Sequence, residues 1–110
     1  MSETGEILRR PTSHDLEQSN MARYMRWLAE SGYGSFPDYE SLYAWSVADV
    51  ESFWASIWDY SGVVAHAPYE RVLGTREMPG AEWFPGARLN YAENLLREAL
   101  HGDPSRPALY

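Results

Sequence analysis

The stretch WFPGARLNYAENLL, Trp83 to Leu96, joins two bulky aromatics, a Pro-Gly turn and an apolar run within fourteen residues. Asn90 followed three positions later by Glu93 is an N-terminal capping pair, which starts a helix after the turn. Ala92, Leu95, Leu96 and Ala99 then fall on one helical face and predict its buried stripe. Gly86 and its neighbours Gly74 and Gly80 read as glycines at positive-φ turn positions. His101-Gly102 closes the helix, with His101 a favourable partner for the C-terminal dipole. So specified a loop is either a binding site or a joint.

The preceding segment, from Val63 to Gly86, has no periodicity. Val63-Val64 and Arg71-Val72-Leu73 read as short extended pieces, and the prolines and glycines keep the rest in turns. Upstream of Gly62 the pattern is helical. Val50, Phe53, Trp54, Ile57 and Trp58 form the clearest amphipathic stripe, and each buried ring can cover roughly 150–250 Å². Ser46 of SVAD is the predicted cap for that helix. A shorter helix is expected from about Asp38 to Trp45. Another carries Met21, Tyr24, Met25 and Leu28 on one face, with Ser19 or Asn20 as its cap and Gly32 as its stop. Residues 1–17 are polar, are interrupted by Pro11, and read as a flexible, extended arm. The fold class is therefore mainly α: three to four amphipathic helices plus a Pro/Gly-rich loop. After a DPSRP linker, ALY reads as the opening of a strand.

Composition excludes several functions. The 110 residues are one small domain's length, and 45% hydrophobic with 15% aromatic content is that of an ordered chain. A net charge of −7 argues against nucleic acid, since phosphate binding needs clustered cations. No Cys means no disulfide frame and no thiol chemistry. No signal peptide is read at the N-terminus, and no apolar run approaches the ~18 residues of a membrane span, so the chain reads as cytoplasmic. His14, His66 and His101 show no metal-ligand spacing, no serine sits in GxSxG, and no GK[ST] follows a glycine-rich loop. The sequence contains nine Arg and no Lys. No catalytic, cofactor-binding or metal residue is assigned.

The opening stretch resembles the N-terminal region of the acetyl-CoA synthetase-like enzymes, members of the adenylate-forming acyl-CoA synthetase superfamily. With Tyr91, Glu93 and Leu95-Leu96 it is more similar to the acetoacetyl-CoA synthetases (acetoacetate–CoA ligases) than to acetyl-CoA synthetases. SNMARYMRWL, Ser19 to Leu28, and DYESLYAWSVADVESFWASIWDYSGV, Asp38 to Val63, resemble the preceding family helices in the right order. The resemblance covers about residues 19 to 110. It implies a fragment: residues 18–104 as the N-terminal helical region and 105–110 as the start of a large α/β adenylation domain on which that region packs.

For the parent enzyme the resemblance implies ATP, Mg and coenzyme A. Acetoacetate would attack the α-phosphate of ATP to give acetoacetyl-AMP and pyrophosphate, and the thiol of coenzyme A would then displace AMP. The family performs this with a Ser/Thr/Gly-rich loop ending in Lys and with a second Lys, and no position here matches either. The fragment is thus expected to be structural and non-catalytic, with the remainder of the adenylation domain as its partner. Trp83, Phe84, Leu89, Asn90, Tyr91 and Asn94 match the recurrent motif and are expected to form an inter-domain anchor. A loop lining the coenzyme A entry is the competing role for this stretch, with Arg88 or Arg76 as phosphate partners. Two rival identities stand beside the acetoacetate enzyme: the same region of an acetate or propionate enzyme, and a free-standing helical protein-interaction module.

Overall fold

A computed structural model describes residues 4–109. The first three residues of the expected arm, and Tyr110 of the expected strand, lie outside the described residues. Packing divides the chain into two units, one ending at Asp49 and the other starting at Val50.

In the first unit Thr12 begins a capping box. Its hydroxyl accepts from the Asp15 amide, and the Asp15 carboxylate accepts from the Thr12 amide. Two donors that a helix start leaves bare are thereby satisfied, and α1 (Ser13–Gln18) forms inside the expected arm. Arg9 adds an ion pair to Asp15 at 2.8 Å. Ser19 then ends α1 and caps α2 (Asn20–Glu30), its hydroxyl accepting from Ala22 N at 3.2 Å. On α2 half of the predicted stripe is buried: Leu28 is fully enclosed and Tyr24 nearly so, while Met25 is half-buried and Met21 45% exposed. Gly32, at φ +84°, stops the helix as expected.

Asp38 caps α3 (Tyr39–Ala48) in a second capping box, with Ser41 Oγ accepting in return. Leu42 is its buried residue. Rings tie the unit together: Trp27 stacks on Tyr24 and Tyr33, and Trp45 meets Phe36 at 4.8 Å. The expected helix restart at Ser46 does not occur. α3 is already running there, and the Ser46 hydroxyl donates back to Tyr43 O at 2.7 Å. Asp49 closes α3 instead, and α4 (Val50–Ser61) follows without the SVAD cap.

In the second unit Gly62, at φ +63°, stops α4 as expected. The fully buried position on α4 is not in the aromatic stripe; it is Ser56, whose hydroxyl donates to Phe53 O at 2.6 Å. The stripe lies half-buried beside it, with Trp54 39% exposed. The loop that follows is pinned by two isolated antiparallel bridges, Ala67 with Arg88 and Leu73 with Trp83. Neither extended piece lengthens into a strand, and Pro107–Leu109 does not either. The final helix divides at Leu96, in turn geometry at φ −98° and ψ 9°, into α5 (Tyr91–Leu95) and α6 (Arg97–His101). The described residues are mainly α, as expected, but in six helices. None is long and apolar enough to cross a membrane.

Candidate functional site

The site grows from the turn at Trp83-Phe84. Phe84 has φ +50°, a left-handed conformation that a bulky side chain adopts only under constraint. The constraint is visible on three sides. Phe84 N donates to Val72 O at 2.7 Å, and Phe84 O accepts from Ala87 N at 3.1 Å. Its ring lies 4.6 Å from that of Trp58 and 5.2 Å from that of Tyr69, and Trp58 and Tyr69 meet each other edge-on. Phe84 therefore closes the unit's own aromatic cluster. Trp83 sits edge-on to Trp54 at 5.7 Å and stays 45% exposed. An apolar slot of about 340 Å³ opens among Trp54, Trp83 and Phe84.

The chain after Phe84 turns tightly at Gly86, where φ is +89° and an added Cβ would lie 2.8 Å from Glu70 Cγ. Gly74 departs from expectation, because its φ is not positive. A Cβ there would lie 2.6 Å from Glu82 Oε2, the mobile end of a side chain that can move aside.

Beyond the turn, Asn90 caps α5 as its sequence predicts, its Oδ1 accepting from Glu93 N at 3.0 Å. Glu93 does not reciprocate. Its carboxylate reaches His66 Nε2 at 2.6 Å, 27 residues away in sequence. Its neighbour Asn94 accepts from Val64 N at 2.8 Å and donates to Val64 O at 2.9 Å, satisfying both backbone groups of one residue. Arg97 Nη1 donates to Gly62 O at 2.7 Å. Glu93, Asn94 and Arg97 thus clasp the segment leaving α4 at every second residue, Gly62, Val64 and His66. At Gly62 and Val64 the side chains of Arg97 and Asn94 supply backbone hydrogen bonds, whereas at His66 the amide donates to Arg88 O at 2.6 Å and Glu93 holds the ring.

The six expected anchor residues therefore separate into three groups. Trp83 and Phe84 are engaged by rings of their own unit, and Asn90 and Asn94 by the cap and the clasp. Leu89 and Tyr91 stand on the surface, 47% and 78% exposed. The stripe expected to be buried on the last helix is not: Leu95 is 65% exposed and Leu96 54%, with Leu100 61% beside them. His66, Trp58, Tyr69 and Arg97 also belong to the site, and no local sequence signal places them there. Only the spacing of Glu93, Asn94 and Arg97 hints that one polar face turns inward.

A shallow groove of about 600 Å³ runs over this face, bordered by His66, Arg88, Leu89, Glu93, Leu96 and Leu100. Arg76 is not among its lining residues. A phosphate placed against Arg88 and His66 here would also meet the Glu93 carboxylate, so the groove is a poor anion cradle. Among the described residues no three His, Asp or Glu side chains gather to hold a metal ion. These residues do not fit Mg·ATP.

A profile described as "Acetyl-coenzyme A synthetase N-terminus" matches residues 39–95, just over half of the chain. An acetoacetyl-coenzyme A synthetase from Rhizobium meliloti is 37% identical over 93 residues, covering 84% of this chain and 14% of that protein. An acetoacetyl-CoA synthetase from Macaca fascicularis is 47% identical over 77 residues, 66% of this chain and 11% of that one. A malonamoyl-CoA synthetase from Penicillium aethiopicum is 42% identical over 67 residues, 59% of this chain and 9% of that one. The solved acetoacetyl-CoA synthetase from Streptomyces lividans shares the fold over 90% of this chain, at a TM-score of 0.82 and 42% identity, and this chain covers 15% of it. The chain thus spans only a small part of the length of the curated relatives it matches, 14% and 11% in the first two. The match over residues 39–95, together with these relatives, shows that the chain belongs to the acetyl-coenzyme A synthetase N-terminus family, alongside the N-terminal regions of acetoacetyl-CoA synthetases.

Proposed function

We propose that the chain is the N-terminal region of a cytoplasmic acetoacetate–CoA ligase, and that within it this region is structural and takes no part in the chemistry. The observation that carries the reading is the 42% identity and TM-score of 0.82, over 90% of the chain, to an acetoacetyl-CoA synthetase. The parent reaction would join acetoacetate to ATP, releasing pyrophosphate and leaving acetoacetyl-AMP, whose acyl group then passes to the coenzyme A thiol with loss of AMP. Mg would accompany ATP. Charge developed at phosphorus needs positioned cations and donors, and a sequence without lysine offers only arginines. The role argued for this region is to hold the Trp83–Asn94 turn and its clasp as one preformed block against the rest of the enzyme.

The malonamoyl-CoA synthetase relative favours a second reading of the substrate alone. The same region occurs in enzymes named for different acids, so the acid is chosen elsewhere. A fusion tests both parts: the Streptomyces lividans enzyme with its matching region replaced by this chain. It is expected to release pyrophosphate once per site with ATP and acetoacetate, and to release AMP and turn over only when coenzyme A is also supplied, whereas the 110-residue chain alone releases neither. A soluble, folded fusion without activity would count against the proposal, and so would turnover by the chain alone.

A further inference from the structure

We propose that the leucine face of α5 and α6, formed by Leu89, Leu95, Leu96 and Leu100 with Tyr91 at its edge, is the surface on which the body of the ligase seats, in place of the Trp83-Phe84 pair. The inference rests on the reading above and names the surface that the reading leaves open. Its first ground is where the aromatic residues are spent. Phe84 is held by Trp58 and Tyr69, and Trp83 leans on Trp54, so neither ring is presented whole to another body.

The second ground is the clasp. Glu93, Asn94 and Arg97 commit the polar side of α5 and α6 to residues 62–66. Leu89, Leu96 and Leu100 line one groove beside that clasp, and with Leu95 they stand 47–65% exposed. Isolated exposed leucines are ordinary, but a contiguous set beside a polar border marks an interface.

The third ground names the occupant. The solved relative carries this same fold inside a chain of which it covers only 15%. In that enzyme the fold is covalently joined to a body several times its size, present at very high effective concentration. A second copy of this chain has no such advantage. The groove's border of Arg88, His66 and Glu93 is mixed in charge, which suits a protein rim and not a single ion.

Cysteine labelling separates the ligase body from a second copy, because the chain has no cysteine of its own. Leu100→Cys reports the face, and Met78→Cys, 87% exposed and off the face, is the control. Each is placed in the isolated chain and in the Streptomyces fusion, and labelling by a maleimide is mapped by peptide mass. On fusion the rate at position 100 is expected to fall at least tenfold while that at 78 changes less than twofold. Equal rates at position 100 in the fusion and in the isolated chain, diluted until its own rate no longer depends on concentration, overturn the proposal. So does protection that grows with the concentration of the isolated chain and gains nothing from fusion, the mark of a second copy.

Activity is read in parallel. An active fusion with position 100 unprotected sinks the surface and leaves the function standing. An inactive, folded fusion with position 100 protected does the reverse. If the fusion is insoluble, the chain is mixed with the Streptomyces body lacking its matching region, and absence of protection at saturation overturns the proposal.

Discussion

Phe84 holds a backbone angle that glycine accepts freely and phenylalanine does not. The angle costs about 1–3 kcal/mol, and the ring's contacts with Trp58 and Tyr69 must exceed it. Phe84→Ala loses the ring and keeps the strain, whereas Phe84→Gly loses the ring and releases it. The glycine variant is therefore expected to be the more stable of the two by about 1 kcal/mol, and both to be weaker than the parent. Urea unfolding of the three proteins checks the order. Asn94 is the second decisive residue. Asn94→Ala leaves Val64 N and O without their partners, and a part-buried orphaned backbone group costs about 1–3 kcal/mol. Asn90→Ala removes one cap bond, worth about 1 kcal/mol. Asn94→Ala is expected to be the more damaging, and equal losses would contradict the clasp. The cap at Asn90 is legible in the sequence because capping is local, three residues in reach. The roles of Glu93 and Asn94 are not, because their partners lie 27 and 30 residues away.

Among the elements, helix starts are written in short polar signatures. Ser19, Asp38 and Asn90 each cap the helix they precede. Thr12 and Asp15 carry the same signature, but the polar, proline-broken context hides a helix of six residues. Ser46 carries it too and fails, since a hydroxyl inside a running helix bonds back to the preceding turn. Two of these caps titrate. The Thr12 amide, then the Thr12 hydroxyl, hold the Asp15 carboxyl below its ordinary value of 3.8. The Ser41 amide, then the Ser41 hydroxyl, do so for Asp38. A carboxyl whose value falls on folding stabilises the fold above its unfolded value, and that stabilisation is lost as pH drops through the folded one. Helicity is therefore expected to hold from neutral pH to about 4 and to decline below 3.8. Asp38→Asn keeps a cap without a proton to gain. It is expected to match the parent near pH 6 and to lose less helical circular dichroism at pH 2–3. An unchanged acid profile would contradict the assignment.

For the molecule as a whole, periodicity identifies an amphipathic face but is silent on what covers it. That is why the stripe on the last helix reads as core and stands exposed, while the Tyr24 and Leu28 stripe reads as core and is. The mainly α class and the helix stops at Gly32 and Gly62 are legible for the opposite reason, being set within a few residues. The open leucines also bear on solution behaviour. The isolated chain is expected to self-associate as its concentration rises, and Leu96→Asp with Leu100→Asp to reduce that association, as sedimentation velocity would show. A monomer at all concentrations would contradict it.

Above all, this region is held to support a ligase without choosing its acid. The decisive experiment fuses the chain to two bodies, one from the Streptomyces lividans acetoacetyl-CoA synthetase and one from the Penicillium aethiopicum malonamoyl-CoA synthetase, and compares kcat/KM for the two acids. The preference is expected to follow the body in both fusions. A preference that follows this chain, turning the second fusion toward acetoacetate, would overturn that role.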